Sequence, residues 1–254
     1  MSDPESMPTT DRWLTRLDPA GVFTARDRVA LLRAAAAIRP FKGQEVLAER
    51  GTRQRFAYLV IEGLVARRKE TALGKHQITA IFVPGDLIDG HVALQLPADH
   101  DLVALSEGRA APISEAGLGD LEAEGGLAKA IQRSSAYEAS IAREWVVNIG
   151  ARDAGPRVAH LLCELVWRLQ HAGLAQNHAC ALPLRQQDIA DATGISAVHV
   201  NRVLQRLRRG GLIRLVGEQL EILEPGRLEE LADFEPDYLE AAAALQSAAG
   251  AVSR

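Results

Sequence analysis

Four residues near the end of this chain, Val198, Asn201, Arg202 and Gln205, are suited to reading a base pair, and they share one side of a segment that reads as a helix. Arginine can donate two parallel hydrogen bonds to a guanine edge, asparagine and glutamine match an adenine edge, and valine can meet a thymine methyl. Around them Arg185, Gln186, Gln187, Ser196, His199, Arg206 and Arg209 could hold phosphates, contacts that fix register without carrying sequence information. This is recognition chemistry, not bond making. The sequence has no phosphate loop, no Ser/His/Asp arrangement, no His-Glu-x-x-His metal spacing and no glycine-rich dinucleotide fingerprint, so no enzyme is expected.

These side chains need a rigid frame, and the surrounding residues supply one. Residues 184–193 read as a helix, Gly194 as the tight turn, and Ala197 to Arg209 as a second helix with Ser196 placed to cap its free amides. Ala190 is small where two such helices must cross. Val200, Val203, Leu204 and Leu207 follow i, i+3, i+4, i+7 and must face inward, which turns the polar side outward. Gly210-Gly211 ends the helix, and two short strands about Gly217-Glu218 follow as a wing. An arginine-bearing face can instead be only a solvated surface, or the helix-turn-helix can serve protein contacts in a ligand-binding module. Absent or salt-insensitive DNA binding would mark those alternatives.

Upstream, Thr24 and Asp27 open a capped helix over residues 24–38 that ends by Pro40. From 41 to 114 short β-branched or aromatic runs alternate with Gly51, Gly63, Gly74 and Pro84-Gly85, the texture of a small antiparallel barrel or roll. Residues 127–148 lack proline and glycine and place Leu127, Ile131, Ile141, Trp145 and Ile149 along one helix side, a stripe that either packs on the chain's own domain or, as expected here, is covered by a second copy of the chain. Residues 153–156, with Pro156, read as a hinge, and 158–170 as another amphipathic helix. The expected division is a sensor domain at 10–126, a dimerisation helix and hinge at 127–153, a DNA-binding domain at 154–232 and an acidic, alanine-rich tail at 233–254.

The formal charge of -4 conceals an asymmetry: from 156 to 214 eight arginines face three acids, whereas from 217 to 254 nine acids face two arginines. A polyanion feels the local field, so the first stretch is the candidate contact. Cys163 and Cys180 lack the spacing of a disulfide framework or metal site and read as buried, reduced thiols. No apolar run could span a bilayer and the first ten residues do not read as a secretory signal, so a cytoplasmic protein without a membrane partner is expected.

With these elements in order, residues from about Thr10 to Asp233 resemble the cyclic-AMP receptor protein and fumarate–nitrate regulator (Crp/Fnr) superfamily. The resemblance rests on Leu182-Pro-Leu-Arg-Gln-Gln-Asp-Ile-Ala-Asp-Ala-Thr-Gly-Ile-Ser-Ala-Val-His-Val-Asn-Arg-Val-Leu-Gln-Arg-Leu207, and more weakly on Tyr58-Leu-Val-Ile-Glu-Gly63 and Pro84-Gly-Asp86-Leu-Ile. It implies an α+β protein with an N-terminal double-stranded β-roll, a long dimerisation helix and a C-terminal winged helix-turn-helix. The implied partners are duplex DNA at an inverted repeat, a second copy of the chain, and RNA polymerase. There are departures. Ala197 and Val198 stand where some members carry arginine and glutamate. Asp89-Gly90 replaces the family's Gly-Glu, and no arginine lies between Asp86 and Glu107, so the usual cyclic-AMP contacts are not expected. Neither cysteine is in the roll, which argues against an iron–sulfur sensor; His76, His91 and His100 are haem ligands only on a remote reading.

Overall fold

The computed structural model describes residues 23–90, 92, 96–122 and 125–244, with the backbone alone at 122, 125–127 and 241–244. Helix α1 (Ala25–Ala34) starts at the expected cap: the Thr24 hydroxyl accepts from the Asp27 amide at 3.1 Å, and Asp27 accepts from the Thr24 amide at 2.8 Å. A single 3-10 turn then leads into the strands, because Pro40 cannot continue a helix.

Eight strands follow: β1 (Arg39–Phe41), β2 (Val46–Ala48), β3 (Phe56–Glu62), β4 (Val65–Glu70), β5 (His76–Phe82), β6 (Leu87–Ile88), β7 (Asp101–Ala104) and β8 (Gly108–Ser114). They form two four-stranded sheets, β1-β8-β3-β6 and β2-β7-β4-β5, antiparallel at every pairing. Strand β3 is apolar on both faces because both are covered. Ala57, Leu59 and Ile61 pack toward α1, α2 (Glu115–Glu122) and the start of the next helix, while Val60 meets Phe82, Ile88 and Leu102 between the sheets. Gly63 joins β3 to β4 at φ +79°, and a Cβ there would stand 2.5 Å from the Glu107 carbonyl oxygen, so only glycine fits.

Helix α3 (Gly125–Ala151) spans 27 residues, about 40 Å at 1.5 Å per residue. Its end departs from the expected hinge. The break falls at Arg152 and Asp153, while Gly155 and Pro156 already belong to the first turn of α4 (Ala154–His171), where a missing amide costs no helical bond. Strands β9 (Ala175–Gln176) and β10 (Ala179–Ala181), helices α5 (Gln186–Thr193) and α6 (Ala197–Arg209), and strands β11 (Ile213–Val216) and β12 (Gln219–Ile222) complete the winged unit, with sheet order β11-β12-β10-β9.

Two groups of residues are used within the chain itself. Ile141 and Trp145, expected to meet a second copy, are 4% and 5% exposed within their own chain. They join Ile81 and Val83 of the roll to Leu161, Leu165 and Leu204 of the DNA-binding half in one continuous core. Ile141 and Trp145 are consumed by this junction before any partner arrives. The supposed tail is also structural up to Ala244: after α7 (Pro225–Ala232), Phe234 and Leu239 of the α8 region (Asp237–Ala244) are buried in the same core. Residues 245–254, with the rest of the alanine-rich run, lie outside the described residues, as do residues 10–22.

Through that core runs a chain of charges. Arg168 on α4 donates to Asp86 of the roll at 2.7 Å and to Glu164 at 3.1 Å. Glu164, wholly buried, also accepts from Trp145 Nε1 on α3 at 3.0 Å and from the Tyr238 hydroxyl on α8 at 2.8 Å. Burial pushes the Glu164 carboxyl upward in pKa, against the pull of Arg168, Tyr238 and Trp145. Removing a single partner leaves buried charge uncompensated, which is worse than replacing the whole set. Arg168→Met, close in length but uncharged, is therefore expected to lower stability by about 3–5 kcal/mol in urea unfolding. A loss under about 1 kcal/mol would mean that water or another group already satisfies Asp86 and Glu164.

Candidate nucleic-acid interface

The frame expected around the base-reading residues is present. Gly194 ends α5 at φ +67°, the left-handed conformation that glycine adopts without strain, and Ala190 is buried where the helices cross. Ser196 caps α6 by accepting from the His199 amide at 3.2 Å. Val200, Val203, Leu204 and Leu207 are each at most 2% exposed, so the helix cannot roll about its axis without uncovering them.

The opposite side is open. Val198 is 64% exposed, and Arg202, Gln205, Arg206 and Arg209 are exposed or half-exposed beside it, with Ser196 and His199 at the helix start. Asn201 is half-buried and donates to Gln186 Oε1 at 3.1 Å, which fixes one side chain expected at a base against another expected at the backbone. Gln187 is exposed and donates to Asp191 at 2.6 Å. Arg185 is held by Asp188 at 2.6 and 3.0 Å and reaches Gln44 of the roll at 2.7 Å; the bonds to Asp188 raise its already high pKa.

Of the eight arginines between 156 and 214, Arg168 is buried, Arg157 bonds to backbone carbonyls, and Arg185 and Arg214 pair with Asp188 and Glu221. Arg202, Arg206, Arg209 and the half-buried Arg208 form no ion pair among the described residues, so α6 carries four arginines without carboxylate partners, three of them on its outward side. At the wing, Val216 is 68% exposed at the end of β11.

Residues 156–231 match the family described as the Crp-like helix-turn-helix domain, and residues 38–124 the cyclic nucleotide-binding domain. The nitrogen fixation regulation protein FixK of Bradyrhizobium diazoefficiens is 30% identical over 194 residues, covering 75% of this chain and 79% of that one. This chain belongs to the Crp/Fnr family. The transcriptional activator protein FnrL of Cereibacter sphaeroides is 23% identical over 83% of this chain and 86% of its own length. In fold, the Crp/Fnr chain is similar to FixK2 from Bradyrhizobium japonicum, with TM-score 0.68 and 24% identity over 76% of this chain and 96% of that one. A CRP/FNR-family regulator of Thermus thermophilus superposes with TM-score 0.61 at 22% identity, over 78% of this chain and 98% of that one. The protein is accordingly a DNA-binding transcription regulator, with the β-roll, long helix and winged helix-turn-helix architecture of Crp/Fnr proteins.

The roll of this Crp/Fnr protein does not fit a cyclic nucleotide by the usual contacts. An open cavity of about 320 Å³ is lined by Arg67, Lys69, Thr79, Asp99, His100 and Glu138. Its cations already have carboxylates. Arg67 bonds to Asp89 at 2.6 Å and to Glu138 of α3, Lys69 pairs with Asp99, and His100 bridges Asp89 at 3.1 Å and Asp99 at 2.6 Å. Burial opposes charge on Asp89, yet the bonds from His100 and Arg67 outweigh it and hold the carboxyl far below its ordinary pKa. Burial likewise opposes charge on His100, and the two aspartates overcome it and raise the pKa. A cyclic phosphate would have to displace these internal anions before reaching a cation.

Sequence reasoning missed Arg67 and Glu138, because strand-to-helix pairing 71 residues apart leaves no local spacing signal. Both ring nitrogens of His100 are engaged by carboxylates, which leaves neither for haem iron in this arrangement; His76 lies exposed at the start of β5, and His91 lies outside the described residues. Cys163 and Cys180 are buried in the DNA-binding half, where burial pushes the thiols up to about 12 and about 11.

The frame can be tested apart from the DNA. Ser196→Ala removes the acceptor for the first turn of α6 and is expected to cost about 1 kcal/mol in thermal or urea unfolding. An unchanged midpoint would show that solvent caps α6 equally well.

Proposed function

We propose that two copies of the chain read an inverted-repeat operator. Val198, Asn201, Arg202 and Gln205 face base edges, and Arg185, Gln186, Gln187, Ser196, His199, Arg206 and Arg209 face the phosphate backbone. One observation carries the reading: a deeply buried stripe locks α6 so that its outward side bears arginines without carboxylate partners among the described residues. Arg185 contributes less than its neighbours, since Asp188 already shares its charge.

The pairing surface that the burial favours differs from the stripe first expected. Ile141 and Trp145 are used inside the chain, Ile131 packs partly on the roll, Ile149 is half-buried, and the Leu127 side chain lies outside the described residues. The more open face of α3 instead runs through Gln132, Ser135, Ala139, Ala142 and Val146, at spacings of three and four residues. Such spacing forms a coiled-coil seam, and alanines in it let two helix backbones approach closely. Val146, at 72% exposed, is its largest apolar group. Two copies joined there present two recognition helices, which for an inverted repeat stand about one duplex turn, roughly 34 Å, apart. The further partner is RNA polymerase, met in the cytoplasm. The carboxylate-filled roll supports an effector other than a nucleotide held by the usual contacts, or none.

Arg202→Ala is expected to weaken binding to the selected operator by about 1–3 kcal/mol while leaving binding to random duplex nearly unchanged, as read by gel shift at fixed salt. Equal loss on both duplexes would remove Arg202 from base reading. Val146→Asp is expected to give a folded monomer in sedimentation velocity and to reduce operator affinity about tenfold or more. A variant that remains dimeric would place the interface elsewhere.

A further inference from the structure

The turn that carries the recognition helix is gripped by three other parts of the molecule. Thr193, the last residue of α5, has a carbonyl without a partner inside its own helix. Arg157, in the first turn of α4, donates to that carbonyl through Nη1 at 2.9 Å. The same guanidinium donates through Nη2 at 2.8 Å and Nε at 3.2 Å to the carbonyl of Arg152, the first residue beyond α3. Asn148, buried near the end of α3, returns a bond to the Arg157 carbonyl at 3.2 Å. From the roll, Gln77 of β5 donates to the Ala192 carbonyl at 3.4 Å, and both Gln77 and Ile149 of α3 lie against Gly194.

A guanidinium is planar, with donors in fixed directions. One such group bonded to the ends of both α3 and α5 fixes the distance and angle between them, which two separate flexible side chains would not do. Beyond Thr193 only Gly194 and Ile195 separate this joint from Ser196 and α6. The Arg157 guanidinium is spent on these backbone carbonyls and not on the face that α6 offers to a duplex.

We propose that Arg157 is a positioning residue that sets the spacing between half-sites by fixing the attitude of α6 relative to α3. The inference rests on the dimeric, inverted-repeat reading above. In that dimer the α3 pair is the common axis, so any change of angle at the Arg157 joint moves both recognition helices apart or together. A residue that only stabilises the fold would weaken every complex alike. A residue that sets the angle acts where both helices must land at once.

The test uses the full chain and an operator selected by the wild-type protein from randomised duplexes, remade with the spacer lengthened and shortened by one base pair, together with a duplex carrying one half-site. Arg157→Gln keeps a short donor that cannot span both carbonyls. Arg157→Lys keeps the charge as a single point and guards against a Gln variant that does not fold. For wild type, anisotropy titrations are expected to favour the selected spacing by about tenfold or more. For either variant, affinity for that operator is expected to fall about tenfold, the preference over altered spacers to shrink below about threefold, and half-site affinity to stay within about twofold. Undiminished spacing preference in a folded variant overturns the proposal, as does a loss shared equally by half-site and operator. Wild-type selection of single half-sites, or indifference to the spacer, overturns the dimeric reading itself and the proposal with it.

Discussion

Charge buried at the meeting point of four elements organises this molecule. Arg168 and Glu164 come from α4, Asp86 from the roll, Trp145 from α3 and Tyr238 from α8. Removing ions from water is costly, and the cost is offset only when every partner arrives in register. The site therefore tolerates no half-assembled state: a DNA-binding half displaced from the roll would leave Asp86 near apolar Ile81 and Val83 without its cation. Hydrophobic area alone would hold these parts together in many attitudes. Directional bonds to one guanidinium and one carboxylate select a single attitude, and α6 inherits it.

The same physics operates nearby on the roll, across Glu138, to a different effect. Asp89, Asp99 and Glu138 neutralise Arg67, Lys69 and His100 around a cavity open to solvent, and Glu138 belongs to α3. The roll is thus tied to the long helix by an internal ion pair between Arg67 and Glu138. Family membership fixes the architecture, but these side chains and not the fold decide what the cavity accepts. The structure therefore separates two properties that the fold alone would merge: a sensor-shaped domain and a nucleotide-binding site.

Legibility in the sequence tracked the range of the interactions. The helix-turn-helix was readable because its determinants, Gly194, Ser196, Ala190 and the stripe from Val200 to Leu207, lie within about one turn of what they control. Gly63 and Pro84-Gly85 marked the roll for the same reason. The face of α3 was misread because periodicity reports that a stripe is buried, not what buries it. Ile141 and Trp145 carry the strong apolar signal and serve the chain's own core, while Ala139 and Ala142 on the more open face carry almost none. Acidic composition hid Phe234, Tyr238 and Leu239 in what read as a tail, although three aromatic or aliphatic anchors suffice to dock one helix. The Arg67–Glu138 and Arg168–Asp86 pairs, 71 and 82 residues apart, exist only once the fold brings them together.

The break between α3 and α4 shows how such long-range contacts change the meaning of a local motif. Gly155-Pro156 invites the idea of a free hinge, and an unbraced two-residue break would bend under thermal motion. Here Arg157 ties the two helix ends, Asn148 returns a bond from the α3 side, and Arg152 reaches Glu144 at 2.7 Å and the Asp233 carbonyl at 2.9 Å. Bending would have to break these bonds and shear the core that contains Trp145 and Leu239. An effector can drive such a change only by the difference in its affinity for the two arrangements. A brace of several bonds sets that difference high, and a weakly discriminating ligand in the roll would leave the recognition helices where folding placed them.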